Sequence, residues 1–301
     1  MSKQVGVKLL RSLARRVLDS LLWNPAGMAY LRTAVPNQTA VGWGMEYSDE
    51  AAVARISQRL QSLGIDVVPY RVSLVEREDW VQRARYDNFP YRQAFQDPNI
   101  FLEKSLEHFL AAQWLQLSPA DVYIDIASLS SPAAEIYHNL YGCTAYRQDL
   151  VFPEGLHGDT IGGDAAEMPV PDGFANKMAL HCSFEHFEGD TDVRFIKKAA
   201  RVLQDGGKLV IVPLYLAERF AIHSNPAAWV RRRIPFDSGA TVHWVRQRGL
   251  IHARGYDPEH FFDRVVRNSF PLSLTVFRID DLIAISPAYY VRFGAVFERK
   301  R

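Results

Sequence analysis

Cysteine is nearly absent: Cys143 and Cys182 are the two in a chain of 301 residues. That excludes a disulfide framework, and with no signal peptide visible a reducing cytoplasm is the expected location. No apolar run reaches the roughly 18–20 residues needed to cross a bilayer. Excess charge is missing too. Lys and Arg number 35 against 34 Asp and Glu, a net +1, so no global field draws nucleic acid. Internal repeats and low-complexity tracts are absent. So is the G-x-G-x-x-G fingerprint, which argues against a nicotinamide-dependent oxidoreductase. His181, Glu185 and His186 are spaced H-x-x-x-E-H, one residue off the zinc-helix patterns, so no metal site is expected. What the composition does supply is a 48% hydrophobic chain, enough to bury the core of one large α/β domain with an extension.

The most informative block is 119–213. It opens on the apolar strand Val122–Ile126, which carries Asp125, followed by a turn of small residues and a helix over Pro132–Tyr141 stopped by Gly142. That is how a βα unit begins a nucleotide-type site. A second strand, Thr144–Gln148, ends on Asp149. Pro153, Gly155 and Gly158 then leave little room for another helix, so a third strand near Ile161 is expected to be short. A fourth strand over Lys177–His181, a helix over Asp192–Leu203 and a fifth strand over Lys208–Pro213 complete the block.

Around this block lie two additions. Residues 5–23 read as an amphipathic helix with Lys8, Arg11, Arg15 and Arg16 beside its apolar stripe. It suits either an anionic membrane surface or packing on the domain behind it. Asn24–Gly27 reads as its end. A second helix runs from a Ser48 cap to Gly64, and Pro69 restricts 65–73 to a short or edge strand. Residues 76–85 and Phe101–Ser118 read as helices. The aromatics between them, in 86–100, suit either the lining of a substrate mouth or a plug in the gap between extension and core, and the plug is expected. Residues 214–270 are too long for a plain connection and read as a lid. They hold helix-like E-R-F-A-I-H (Glu218–His223) and N-P-A-A-W-V-R-R-R, a strand at Thr241–Val245 and a helix at Asp257–Asn268. Arg219, Arg231, Arg232, Arg233, Arg246, Arg248 and Arg254 crowd this lid. They suit an anionic acceptor or a solvated face. Ser273–Ile279 and Ala288–Arg299 read as a last pair of strands.

The block resembles the class I S-adenosylmethionine-dependent methyltransferases. The resemblance rests on the D-A-x-x-x-P loop at Asp164–Pro169, the Glu185-His186 pair after the fourth strand, and R-V-L-x-x-G-G at Arg201–Gly207. It implies a Rossmann-like, doubly wound, mostly parallel α/β sheet with a final antiparallel pair. A helical extension (1–100) precedes this domain (101–301), and the lid interrupts it. It implies S-adenosylmethionine as cofactor and O-methylation of a small-molecule or glycan-type acceptor. Asp125 then meets the methionine amino group, Asp149 the ribose hydroxyls, and Asp164 with Ala165 the adenine. Met168 pads the adenine face, and Gly162-Gly163 permit a close approach. His181, Glu185 and His186 line the methyl site, with the two histidines as candidate bases. Three positions where the family has glycine hold Ala127, Leu129 and Ser131. Leu129 raises two alternatives: a loop that bends away from the ligand, or a methionine site filled by leucine. The second goes with a methyltransferase-like binding protein that transfers nothing.

Overall fold

The structure is a computed structural model that describes residues 14, 17–35, 37–39, 49–95, 97–280, 282, 286 and 289–300. Most of the segment read as a membrane-surface helix (5–23), and the Ser48 cap, lie outside the described residues.

The chain before residue 101 supplies helices and two strands. The helical residues 17–22 stop just before Asn24, which also starts the next helix: its side chain accepts from the Gly27 N–H and caps α1 (Pro25–Ala34), with Pro25 in the first turn. After the two-residue strand β1 (Gln38–Thr39) comes α2 (Glu50–Ser62), capped by Asp49. Strand β2 (Asp66–Arg71) contains Pro69 and sits at a sheet edge, where the missing N–H is tolerated. Helix α3 (Leu74–Ala84) and two single 3₁₀ turns lead to α4 (Pro98–Leu115).

The central block begins with β3 (Val122–Ile126) and α5 (Ala133–Tyr141), which Gly142 closes in the left-handed conformation. Strand β4 (Thr144–His157) follows β3 as far as Asp149 and then turns back. Strand β5 (Thr160–Gly162) lies between its two arms, parallel to the first and antiparallel to the second. The returning arm replaces the helix for which the sequence left no room. Gly162 makes this possible. A Cβ there would stand 1.8 Å from the Pro153 carbonyl oxygen, so the glycine serves strand packing and not the approach to a ligand. Then come β6 (Ala175–His181), α6 (Thr191–Val202) and β7 (Leu203–Val212).

The eight-stranded sheet has the order β5-β4-β3-β6-β7, continued by β12 (Phe293–Arg299), β11 (Leu272–Asp280) and β2. Strands β3, β4, β6 and β7 pair in parallel, and β12 is antiparallel to both β7 and β11. Alternate residues of β3 face opposite sides. Ile124 and Ile126 pack with α2 and α6, while Tyr123 packs with α3, α4 and α5. This is a Rossmann-like sheet covered on both faces. From β3 the chain goes outward to β4 and later returns to place β6 on the other flank of β3. The crevice above β3 is therefore the topological switch point.

The insertion builds a second, four-stranded sheet, β1-β9-β8-β10, from β8 (Ala221–Ser224), β9 (Thr241–Trp244) and β10 (Ala253–Gly255). It also carries α7 (Pro226–Arg232) and α8 (Pro258–Arg264). Glu218–His223 is not helical. Its second half is β8, paired on both sides by β9 and β10, where tertiary pairing overrides local helix character.

Candidate active site

A cavity of about 640 Å³ opens over the switch point. Asp125, Ala127, Leu129, Asp149, Asp164, Ala165, His181 and His186 all line it. Three parallel strand ends bring together residues up to 61 positions apart, which is what the spacing of the acids anticipated. Met168 and Glu185 are the exceptions: Met168 is buried in the core beneath α6, Glu185 is buried behind His186, and neither lines the cavity.

The first loop keeps a glycine backbone without glycines. Ala127 (φ 52°) and Leu129 (φ 44°) both sit in the left-handed region, which costs an L residue roughly 1–2 kcal/mol. Asp149 holds the loop there. One carboxylate oxygen accepts from the Leu129 N–H at 2.7 Å, the other from the Val151 N–H at 3.0 Å. Gln148 accepts from the Ala127 N–H at 3.2 Å and donates to the Gly163 carbonyl at 2.6 Å. The Leu129 side chain is 62% exposed, so it does not fill a buried methionine site. Asp164 is the Asx turn its position permitted. It accepts from the Ala166 N–H at 2.9 Å, and its other oxygen is 3.4 Å from Arg194.

Asp125 is buried to 1% exposure. One of its oxygens is 3.0 Å from His181 Nδ1 and accepts a long bond, 3.4 Å, from Tyr123. The other is buried with no partner. His181 is engaged at both ring nitrogens: Nε2 lies 3.2 Å from the Tyr137 hydroxyl, which itself donates to the His108 carbonyl. The His181 side chain is only 4% exposed, packed between Asp125 and Tyr137. His186 differs. Its Nδ1 is 2.7 Å from the His252 carbonyl oxygen, an acceptor, so Nδ1 carries the proton and Nε2 is the free nitrogen. Buried Glu185 stands 3.6 Å from that nitrogen and also accepts from the Cys182 thiol at 3.1 Å. Burial, with the charge of Glu185, pushes that thiol well above its ordinary pKa, so it is no thiolate nucleophile.

The remaining wall includes Tyr91, Phe95, Arg232 and Lys104, of which the sequence pattern did not single out Lys104. Tyr91 and Phe95 line the cavity instead of plugging a gap; Tyr86, fully buried on His108, is the plug. Lys104 also lines it, donating to both Glu107 oxygens at 2.9 and 3.2 Å. The signal for Lys104 was the polar run E-K-S-L-E-H within a helix that has buried apolar residues on every side. Of the seven arginines between residues 219 and 254, Arg232 lines the cavity, 3.7 Å from Glu188. Arg233 bonds Tyr30, Arg246 covers Trp23, and Arg254 is buried between Asp192 and Asp237. The lid therefore does not converge on the cavity as a basic clamp. Among the described residues, no group of three or more His, Cys, Asp or Glu could hold a metal ion.

Residues 128–211 match the family described as "Methyltransferase domain". That stretch is similar to a methyltransferase domain. No curated protein matches the chain. Solved structures similar to this chain include 1,6-didemethyltoxoflavin-N1-methyltransferase from Burkholderia thailandensis, with bound 1,6-didemethyltoxoflavin and S-adenosylhomocysteine. That one is 10% identical, with 78% of this chain and 95% of that chain covered and a TM-score of 0.48. Human N-acetylserotonin methyltransferase in complex with SAM is 14% identical, with 82% and 68% covered and a TM-score of 0.38. The cyclopropane synthase MmaA2 from Mycobacterium tuberculosis is 12% identical, with 64% and 83% covered and a TM-score of 0.39. Among the described residues, no helix is long and apolar enough to cross a membrane.

Proposed function

We propose that this chain is a methyltransferase that moves the methyl group of S-adenosylmethionine to an oxygen of a small-molecule acceptor, with His186 as general base. The observation that carries the reading is the cavity over the switch point. There the left-handed loop 127–129 and Asp125, with a buried and unpartnered carboxylate oxygen, line the same space. A ligand ammonium is the partner that such an oxygen lacks. Asp149 keeps acceptor capacity beyond its two backbone donors and suits ribose hydroxyls. Asp164 and Ala165 suit the adenine edge. Leu129, the missing glycines and the shortened region after Asp149 motivated a rival reading as a binding protein without transfer; the largely exposed leucine and the left-handed backbone of the loop support the enzyme instead. A cytoplasmic location, where both free cysteines stay reduced, belongs to the same proposal.

When bound, the cofactor supplies an electrophilic methyl on a sulfonium, so positioning does most of the work. The chain's own part is to hold the acceptor hydroxyl and take its proton. His186 Nε2 receives that proton, the His252 carbonyl fixes the tautomer, and Glu185 behind the ring stabilises the charge that forms. His181 orients Asp125 through Nδ1 and takes no proton.

Calorimetry tests the cofactor half. The parent should bind S-adenosylhomocysteine, and Asp125→Asn should bind it about 10–100-fold more weakly, the loss of one charge-assisted bond. Equal binding by both would sink the assignment of Asp125. The base is tested by release of S-adenosylhomocysteine across a panel of small hydroxylated acceptors. His186→Gln should bind the cofactor like the parent and release none; turnover at the parent rate would exclude His186.

A further inference from the structure

The cofactor reading uses the first loop, Asp125, Asp149, Asp164 and Ala165. The same cavity is also lined by Tyr91, Phe95, Lys104 and Cys182. Tyr91 is a flat, braced surface. It stacks on His108 at 5.7 Å and lies nearly parallel to Tyr86 at 6.5 Å, while Phe95 meets it edge-on at 5.0 Å and 89°. His108 in turn is held by the Tyr86 hydroxyl on its ring at 2.7 Å and by the Tyr137 hydroxyl on its carbonyl at 2.6 Å. A rigid aromatic wall of this kind gains most from a planar ring laid against it. A flexible aliphatic chain would pay rotamer entropy for the same contact.

Lys104 lines the same cavity. Its side chain is 13% exposed, and the carboxylate of Glu107 behind it is fully buried. Lysine is almost never buried unless paired. Two of its three N–H donors are accounted for by the Glu107 oxygens. Burial works against the ammonium, but the Glu107 carboxylate bonded to it raises its pKa. A permanent cation thus borders a cavity whose neighbouring wall is aromatic.

We infer that Tyr91, Phe95 and Lys104 form the acceptor subsite, and that the acceptor is a planar aromatic molecule whose oxygen function, carboxylate or phenolic, is hydrogen-bonded by Lys104. The inference rests on the methyltransferase reading above and names the acceptor class for the same cavity. A carboxylate could also come from the methionine end of the cofactor, and the experiment separates the two sources.

The probes are 4-hydroxybenzoate and its saturated analogue 4-hydroxycyclohexanecarboxylate, titrated into protein loaded with S-adenosylhomocysteine. S-adenosylhomocysteine and 5′-methylthioadenosine, which lacks the amino-acid end, are titrated into free protein. The parent should bind the aromatic acid at least about 10-fold more tightly than the saturated one, and Tyr91→Leu should abolish that preference. Lys104→Met should weaken 4-hydroxybenzoate by at least about 10-fold and leave S-adenosylhomocysteine within about 2-fold of the parent. Because Lys104→Met strands Glu107, the double change Lys104→Met with Glu107→Gln is measured beside it and should show the same pattern. Equal binding of the two acids, or binding of neither to loaded protein, overturns the aromatic subsite. Loss of S-adenosylhomocysteine affinity with 5′-methylthioadenosine unaffected in both Lys104 variants overturns the acceptor role, because the ammonium then holds the cofactor's carboxylate. If the parent binds no S-adenosylhomocysteine at all, the methyltransferase reading itself has failed.

Discussion

Three residues in the cavity wall adopt a backbone that favours glycine: Ala127, Leu129 and Cys182. Each is held there by its surroundings, as stored strain requires. For Leu129 the restraint is the 2.7 Å bond from its N–H to Asp149. Leu129→Gly removes a left-handed penalty of roughly 1–2 kcal/mol and adds about 0.5–1 kcal/mol of chain entropy to the unfolded state. The expected net change in a urea melt is a stabilisation of less than about 1.5 kcal/mol. S-adenosylhomocysteine affinity should be unchanged, because the leucine side chain is largely exposed. A selective gain in that affinity, with adenosine binding constant, would mean the side chain does obstruct the methionine place.

At the scale of elements, the second sheet and its flank carry an acid sensitivity. Burial lowers His223 to about 3, with His243 adding to it, and lowers His252 to about 4, with Arg254 adding to it. Both folded values lie below the unfolded value of about 6.5. The unfolded state therefore binds more protons in that interval, and stability is lost as pH falls from about 6.5 toward 4. Neither ring nitrogen of His252 has a partner, so His252→Leu leaves no new orphan and keeps the carbonyl that holds His186. Urea melts at pH 7 and pH 5 should show the parent losing more stability than the variant, by on the order of 1–2 kcal/mol. Equal losses would show that His252 does not titrate with unfolding. The insertion is also tied to the main sheet by Arg254, which bridges Asp237 to Asp192 and donates to the Phe187 and Gly189 carbonyls. That network sets the position of the segment after β6, where His186 and Phe187 line the cavity.

For the molecule as a whole, the ends of the chain matter to different layers. Residues 17–35 pack on the second sheet. Leu22 and Leu31 share a cluster with Trp229, Val242 and Trp244, and Asp19 accepts from Asn225 at 3.1 Å. Strand β2 instead extends the main sheet beside β11. Removing residues 1–35 should therefore expose the second sheet's apolar face and leave the eight-stranded sheet intact. Each large side chain uncovered costs roughly 1.5–3 kcal/mol. The expected result is a lower melting temperature and increased dye binding to exposed apolar surface, with S-adenosylhomocysteine affinity retained. Loss of that affinity would mean that the extension shapes the cavity.

The sequence by itself determined the elements of the central block. Strands β3, β6 and β7, the helices between them and the closing antiparallel pair follow from apolar periodicity and glycine stops, which are local properties. The acids at the ends of β3 and β4 were legible for the same reason, since each ends a strand of recognisable pattern. Only the tertiary structure decided what those residues touch. His181 and His186 are equivalent in sequence terms, five positions apart. The first is closed off by Asp125 and Tyr137, the second freed by the carbonyl of His252, and these partners lie 44 to 66 residues away. Met168 followed a motif to the adenine, yet packing places it in the core. Glu218–His223 became a strand because β9 and β10 flank it. Lys104 entered the cavity because α4 packs across β6 and β7, and Tyr91 because it stacks on His108 of that helix. Periodicity is written along the chain, whereas the partner of a buried polar group is set by whichever distant element closes over it.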